Sequence, residues 1–205
     1  MAQYGSSMQK TTPVVLNLII INAIVFVAQL VLDKTMPFTN MIALYAYNSP
    51  LFEPYQLVTH MFAHGGFFHI LFNMYALWMF GSVLERVWGP KRFLIFYFVC
   101  GLAAAVAQMF TIGQLGVPTV GASGAIMGLL AAFAYLFPNT EFFMLPFPFP
   151  IKAKYMVAIY AAIDLFGGLH PGPADNIAHF AHLGGLLMGF ILVIIWNKTN
   201  KKTFY

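Results

Sequence analysis

Gly121-Ala122-Ser123-Gly124-Ala125-Ile126-Met127-Gly128 and, further along, Ala181-His182-Leu183-Gly184-Gly185-Leu186-Leu187-Met188-Gly189 set the architecture of this chain. Each octet or nonet lies in a run apolar enough to enter a bilayer. A serine and a histidine at membrane depth are polar groups in a costly place, and such residues default to a functional reading. Small residues recur around both at helical spacing. In the first run Ser123, Gly124 and Gly128 lie close to one face, with Ala125 between; in the second His182, Gly185 and Gly189 do. Small residues at four-residue spacing let helix backbones approach closely, so these two helices are expected to pack and bring imidazole to hydroxyl.

The rest of the chain supplies a membrane setting for that pair. With 60% hydrophobic and 8% charged residues, its 205 residues carry too little polar surface to coat a soluble globule. Apolar runs fall at Val14–Leu32, Phe67–Leu84, Phe93–Phe110, Ser123–Phe137, Tyr155–Leu169 and Ile177–Trp196. They predict an all-α membrane protein, a bundle of six transmembrane helices forming one domain over residues 1–205. The fourth and fifth runs are short and suit buried or tilted helices. Between the first two, Asp33–Gln56 is too polar and too rich in Pro and Asn to span, yet it carries Met36, Phe38, Met41 and Leu44. It is expected to lie in the interface. Leu145–Pro150, with proline at alternate positions, predicts a turn between the fourth and fifth helices.

Basic residues orient the bundle. Lys10, then Arg86, Lys91 and Arg92, then Lys152 and Lys154, then Lys198, Lys201 and Lys202 fall on one side of a six-helix arrangement, and only Lys34 falls opposite. By the positive-inside rule that side is cytoplasmic and holds both termini. This bias accounts for the net charge of +4 without a nucleic-acid partner. The first apolar run continues to Leu32 with no cleavage site, so it reads as an anchor, and the lack of a transit-like extension favours a bacterial inner membrane. The single cysteine, Cys100, lies mid-run and reads as a packing residue.

On this scaffold Ser123 opens the fourth helix, where the first N–H groups lack intrahelical partners and the helix dipole is positive. Gly121 permits a tight turn before it. Such a serine can be a nucleophile beside an oxyanion site, or simply an N-cap. His182, neutral when partly buried, can take a hydroxyl proton or can be a core histidine bonded to a carbonyl. His69 and Asn73, four apart, share a helix face and could both donate to an oxyanion; alternatively Asn73 bonds a neighbouring helix and His69 sits among headgroups. A metal set of His60, His64 and His69 is disfavoured, since no carboxylate accompanies it. Asp164 has no second intramembrane aspartate, which disfavours a carboxylate-pair protease. No buried Asp is expected beside the serine and histidine, so the reading is a dyad and not a triad. Glu85, near the cytoplasmic end of the second helix, is read as a structural hydrogen-bonding group in need of a partner.

Read together, His60-x-x-x-His64-x-x-x-x-His69-x-x-x-Asn73, Gly81-x-x-x-Glu85-x-x-x-Gly89, Gly121-x-Ser123-Gly124 and Ala181-His182-x-Gly184-Gly185-x-x-x-Gly189 resemble the rhomboid intramembrane serine proteases, in order from about Pro54 to Gly189. The resemblance implies Ser123 as nucleophile, His182 as general base, and an oxyanion hole of the Ser123 N–H, His69 and Asn73. Gly121, through its turn, and Gly124, through close packing, are expected to support the site. The resemblance implies cleavage of single-span membrane proteins near the outer face, without metal or cofactor. It also implies a lateral gate at Tyr155–Leu169 with a cap over Gly167–Asp175. Two departures stand out: Met127 replaces an aromatic residue that packs on the imidazole in many relatives, and Pro54-Tyr55-Gln56 stands near the place of a Trp-Arg pair. His179, one turn before His182, is expected to support it or to be purely structural. Two other functions are considered: a catalytically silent relative that holds unstable membrane segments, and a small transporter lined by His60, His64 and His69. The transporter predicts repeated half-structures, and the sequence has none.

Overall fold

A computed structural model describes residues 12–111, 118–143, 149–172, 175 and 177–199. Helix α1 runs over Pro13–Leu32; its proline sits at the first turn, where no N–H is needed. Two short helices follow, α2 at Phe38–Ile42 and α3 at Gln56–Thr59, and a 3-10 turn covers His60–Phe62. The next helix is continuous over Phe67–Trp88. It consists of α4 at Phe67–Ala76, a π segment at Leu77–Gly81 and α5 at Ser82–Trp88. Gly89, at φ +80, ends it, and Pro90 opens α6 at Pro90–Met109. Then come α7 at Ser123–Leu136, an antiparallel pair β1 at Glu141–Phe143 and β2 at Pro150–Lys152, α8 at Ala153–Leu169 and α9 at His179–Thr199.

The protein is therefore the all-α membrane bundle read from the sequence, apart from the short β1/β2 hairpin. Among the described residues, four helices are long and apolar enough to cross a membrane: Pro13–Leu32, Phe67–Trp88, Pro90–Met109 and His179–Thr199. Helices α7 and α8 occupy the two short apolar runs. The second helix extends past the expected Leu84 to Trp88, and Glu85 within it is partnered. Its Oε1 accepts the Val14 N–H at 3.0 Å and its Oε2 the Val15 N–H at 2.8 Å, so it caps the first turn of α1 from across the bundle. Lys10, Lys201, Lys202 and most of the expected Leu145–Pro150 turn lie outside the described residues.

Helix α7 is the centre. All its residues from Gly124 to Ala134 are buried, with α6 and α9 packed against it. Contact with α9 is backbone to backbone: a Cβ on Gly185 would overlap the Gly124 carbonyl oxygen, and one on Gly189 would overlap that of Gly128. The small-residue faces read from the sequence thus form one seam. A main apolar cluster of Phe93, Phe96, Tyr97, Leu129 and Val193 ties α6, α7 and α9 together. A second, with Phe80, Phe133 and Met156, joins the π segment, α7 and α8. Rings of Trp88, Phe96 and Trp196 cluster at the end that carries Arg92, whose guanidinium lies 6.0 Å from the Trp196 ring.

The segment between α1 and α4 is packed and not loose. Leu44 and Ala46 are buried against Ala105 of α6. Leu44 also pairs with Thr119, backbone to backbone at 2.9 Å in both directions, just before α7. Gln29 of α1 holds the segment's other end, its Oε1 accepting the His64 N–H at 3.0 Å and its Nε2 donating to the His64 carbonyl at 3.1 Å.

Candidate active site

Ser123 stands first in α7 because the chain turns sharply before it. Gly121 has φ +125, a conformation side chains rarely adopt, and its N–H donates to the His60 carbonyl at 2.8 Å. A Cβ there would also press within 2.8 Å of the His69 imidazole. The turn therefore requires glycine twice over, once for φ and once for the close ring.

His182 reaches Ser123 across the glycine seam. Its Nε2 lies 2.8 Å from the Ser123 Oγ, a hydrogen-bonding distance. The start of α9 is fixed by Gln108 of α6, whose Oε1 accepts the Ala181 N–H at 3.0 Å. A cavity of about 970 Å³ opens beside the pair, lined among others by Ser123, His182, His69, Asn73 and Gln108. The four residues singled out for chemistry thus face one space.

Their hydrogen bonds set which protons are free. The Gly65 N–H donates to the His69 Nδ1 at 3.2 Å, so in the neutral ring the proton sits on Nε2, next to Gly121. Asn73 donates one Nδ2 hydrogen to the His69 carbonyl at 2.7 Å and keeps a second. His60 and His64 take other work. Their Nδ1 atoms donate to the Gln56 carbonyl at 2.8 Å and to the Phe62 carbonyl at 3.3 Å. Burial pushes both imidazoles down to about 4, helped in His64 by the neighbouring His69.

One expectation is overturned. A carboxylate does accompany the serine and histidine: Asp164 of α8 is only 5% exposed, and its Oδ1 lies 3.0 Å from the His182 Nδ1. The same oxygen is 2.8 Å from the Nδ1 of His179, whose Nε2 is 3.0 Å from the Asp175 Oδ2. The sequence reading weighs Asp164 only as half of a carboxylate pair; its approach to His182 is missed because it lies on another helix, in no motif spacing with His182. The available signal was its position inside an apolar run, where a carboxylate must have a partner. Met127 is buried in the second apolar cluster with Phe80 and Met156. Gly124 packs so closely on α6 that a Cβ would overlap Ala104. Of the expected cap, residues 173 and 174 lie outside the described residues.

Known proteins are similar to this chain in sequence. A family model described as "Rhomboid domain" matches residues 51–198. The chain is 33% identical over 151 residues to "Rhomboid protein 1, mitochondrial" of Saccharomyces cerevisiae, covering 71% of this chain and 43% of that protein. It is 35% identical over 139 residues to "Rhomboid protease GluP" of Bacillus subtilis, covering 67% and 25%. It is 33% identical over 144 residues to "RHOMBOID-like protein 6, mitochondrial" of Arabidopsis thaliana, covering 70% and 44%. This chain spans less than half the length of each of these relatives.

Proposed function

Because this chain belongs to the rhomboid family, we propose that it is an intramembrane serine endopeptidase that cuts single-span membrane proteins near the outer face of the bilayer. The observation that carries the proposal is the 2.8 Å approach of the His182 Nε2 to the Ser123 Oγ beside a cavity lined by polar groups.

In this reading the His182 Nε2 takes the Ser123 proton as the Oγ attacks a substrate carbonyl carbon. Negative charge then develops on the carbonyl oxygen. The Ser123 N–H, the His69 Nε2–H and the second Asn73 Nδ2 hydrogen are available to it, in a setting where the α7 dipole adds to their effect. Collapse expels the amine, which takes the proton from His182 and leaves an acyl-enzyme on the Ser123 Oγ. Water entering through the cavity then attacks that ester, with His182 again as base. The polar lining supports access of water at a depth where lipid would exclude it.

The six helices would form one domain, with α7 and α8 buried or tilted within it. The basic residues at the α5/α6 junction, at the start of α8 and at the end of α9 support cytoplasmic termini. We place the protein in a bacterial inner membrane.

Purified protein in liposomes, given a single-span reporter, tests the proposal. Wild type is expected to cut it and Ser123→Ala to leave it intact while melting normally. Equal reporter loss in both, or firm binding without cleavage by both, would end the assignment.

A further inference from the structure

The carboxylate behind His182 is held by a chain of partners that extends beyond the reacting pair. Asp164 Oδ1 faces two imidazole nitrogens, the Nδ1 of His182 at 3.0 Å and the Nδ1 of His179 at 2.8 Å. An ionised carboxylate only accepts hydrogen bonds, so both nitrogens carry their hydrogens. For His182 this settles the tautomer. With the proton on Nδ1, the lone pair is on Nε2, the atom 2.8 Å from the Ser123 hydroxyl.

His179 is placed to keep Asp164 there. Its second nitrogen faces the Oδ2 of Asp175 at 3.0 Å, while the Oδ1 of Asp175 accepts the Ile177 N–H at 3.0 Å. Lying between two carboxylates, the ring donates from both nitrogens, the hydrogen-bonding pattern of the imidazolium. That charge offsets the burial of Asp164, whose carboxylate would otherwise be desolvated with only a neutral histidine for company. The sequence makes room for this ring. A Cβ on Gly167 would lie 2.5 Å from the His179 Cε1 and Nε2, so a glycine one turn beyond Asp164 on α8 is what lets the ring sit flush against that helix.

We propose that Asp164 is a positioning residue that fixes His182 as the Nδ1–H tautomer and balances the charge it gains from Ser123, and that His179, clamped between Asp164 and Asp175, holds Asp164 in that position. The inference rests on the reading of Ser123 and His182 as nucleophile and base. Ser123, His182 and Asp164 come from three different helices, α7, α9 and α8, so the arrangement depends on α8 staying docked.

The test compares wild type with Asp164→Asn and His179→Gln, full chain in lipid nanodiscs, by two readouts. The first is the 15N and proton signal of the His182 ring; the second is the rate at which a fluorophosphonate labels Ser123. In wild type the Nδ1–H signal is expected to be single and strongly deshielded. Asp164→Asn should lose it and label on the order of 10²-fold more slowly, the scale on which general-base catalysis operates. His179→Gln, which keeps one donor toward Asp164, should shift the signal and slow labelling by less than Asp164→Asn does. It also serves if Asp164→Asn does not fold. Unchanged ring signal and labelling in a folded variant would overturn the inference. Wild type that fails to label would instead remove the protease reading, while the ring signal, which needs no turnover, would still decide the role of Asp164.

Discussion

Replacing Glu85 by alanine should destabilise the protein without disabling the site. Its carboxylate, 2% exposed, accepts the Val14 and Val15 N–H groups at 3.0 and 2.8 Å, two donors that the first turn of α1 cannot satisfy internally. Hydrogen bonds to a charged group contribute about 1.5–3 kcal/mol each. Removing the carboxylate also removes the cost of burying it, which works in the opposite direction. A net loss of about 3 kcal/mol follows, equivalent to a melting temperature lower by roughly 6–12 °C for a chain of this size. The site should be nearly indifferent, because Glu85 is roughly 24 Å along its helix from His69 at 1.5 Å per residue. Glu85→Gln should fall close to alanine, since its amide nitrogen cannot accept the second N–H. The assay is a thermal melt with a thiol-reactive dye, which reports unfolding through Cys100, the sole cysteine and fully buried. Fluorophosphonate labelling per folded molecule is read in parallel. A variant that melts like wild type would refute the capping argument, as would one that melts normally and has lost labelling.

Three further outcomes follow from the same geometry. Asn73→Ala should retain measurable cleavage at a rate about 10²–10³-fold lower, the usual effect of deleting one oxyanion donor, and full activity would exclude it from the hole. Gly185→Ala should cost about 3 kcal/mol and slow Ser123 labelling about 10²-fold, because its Cβ would force α9 off the Gly124 carbonyl and lengthen the reach of His182; wild-type labelling would show the seam to be looser than described. Acid should destabilise the fold through His60 and His64. Both are pushed down to about 4 by burial, so protons bind the unfolded chain first. Their contribution is complete above about pH 6.5 and is lost as pH falls toward 4, up to about 3 kcal/mol each. Melts at pH 7 and pH 4.5 measure it, and a His60→Gln variant should show a shallower dependence than wild type.

The parts of the fold legible in the sequence are those written in local periodicity. Apolar length located the long helices, and glycine spacing located the α7/α9 seam, because both depend on residues within a turn or two of one another. Ser123 and His182 were legible for the same reason, each within a small-residue motif. Asp164 was not, since only tertiary packing brings α8 to α9. The donors to Glu85 were equally hidden, being backbone N–H groups that any residue at those positions would supply. The π segment at Leu77–Gly81 and the β1/β2 hairpin carry no periodic signature of their own; each reflects how the chain is fitted between its neighbours.

The brevity of α7 acts as a depth gauge. Fourteen residues rise only about 21 Å, whereas the hydrocarbon layer is about 30 Å thick. If the far end of α7 is level with one edge of that layer, Ser123 starts roughly 9 Å below the other. Under the proposed function, a substrate peptide bond would have to descend to that level to meet the hydroxyl, where an intact helix keeps its carbonyls bonded to its own amides. On that reading selection would fall on how readily a segment gives up those internal bonds, so that sequences weak as helices would be cut and stable spans left untouched.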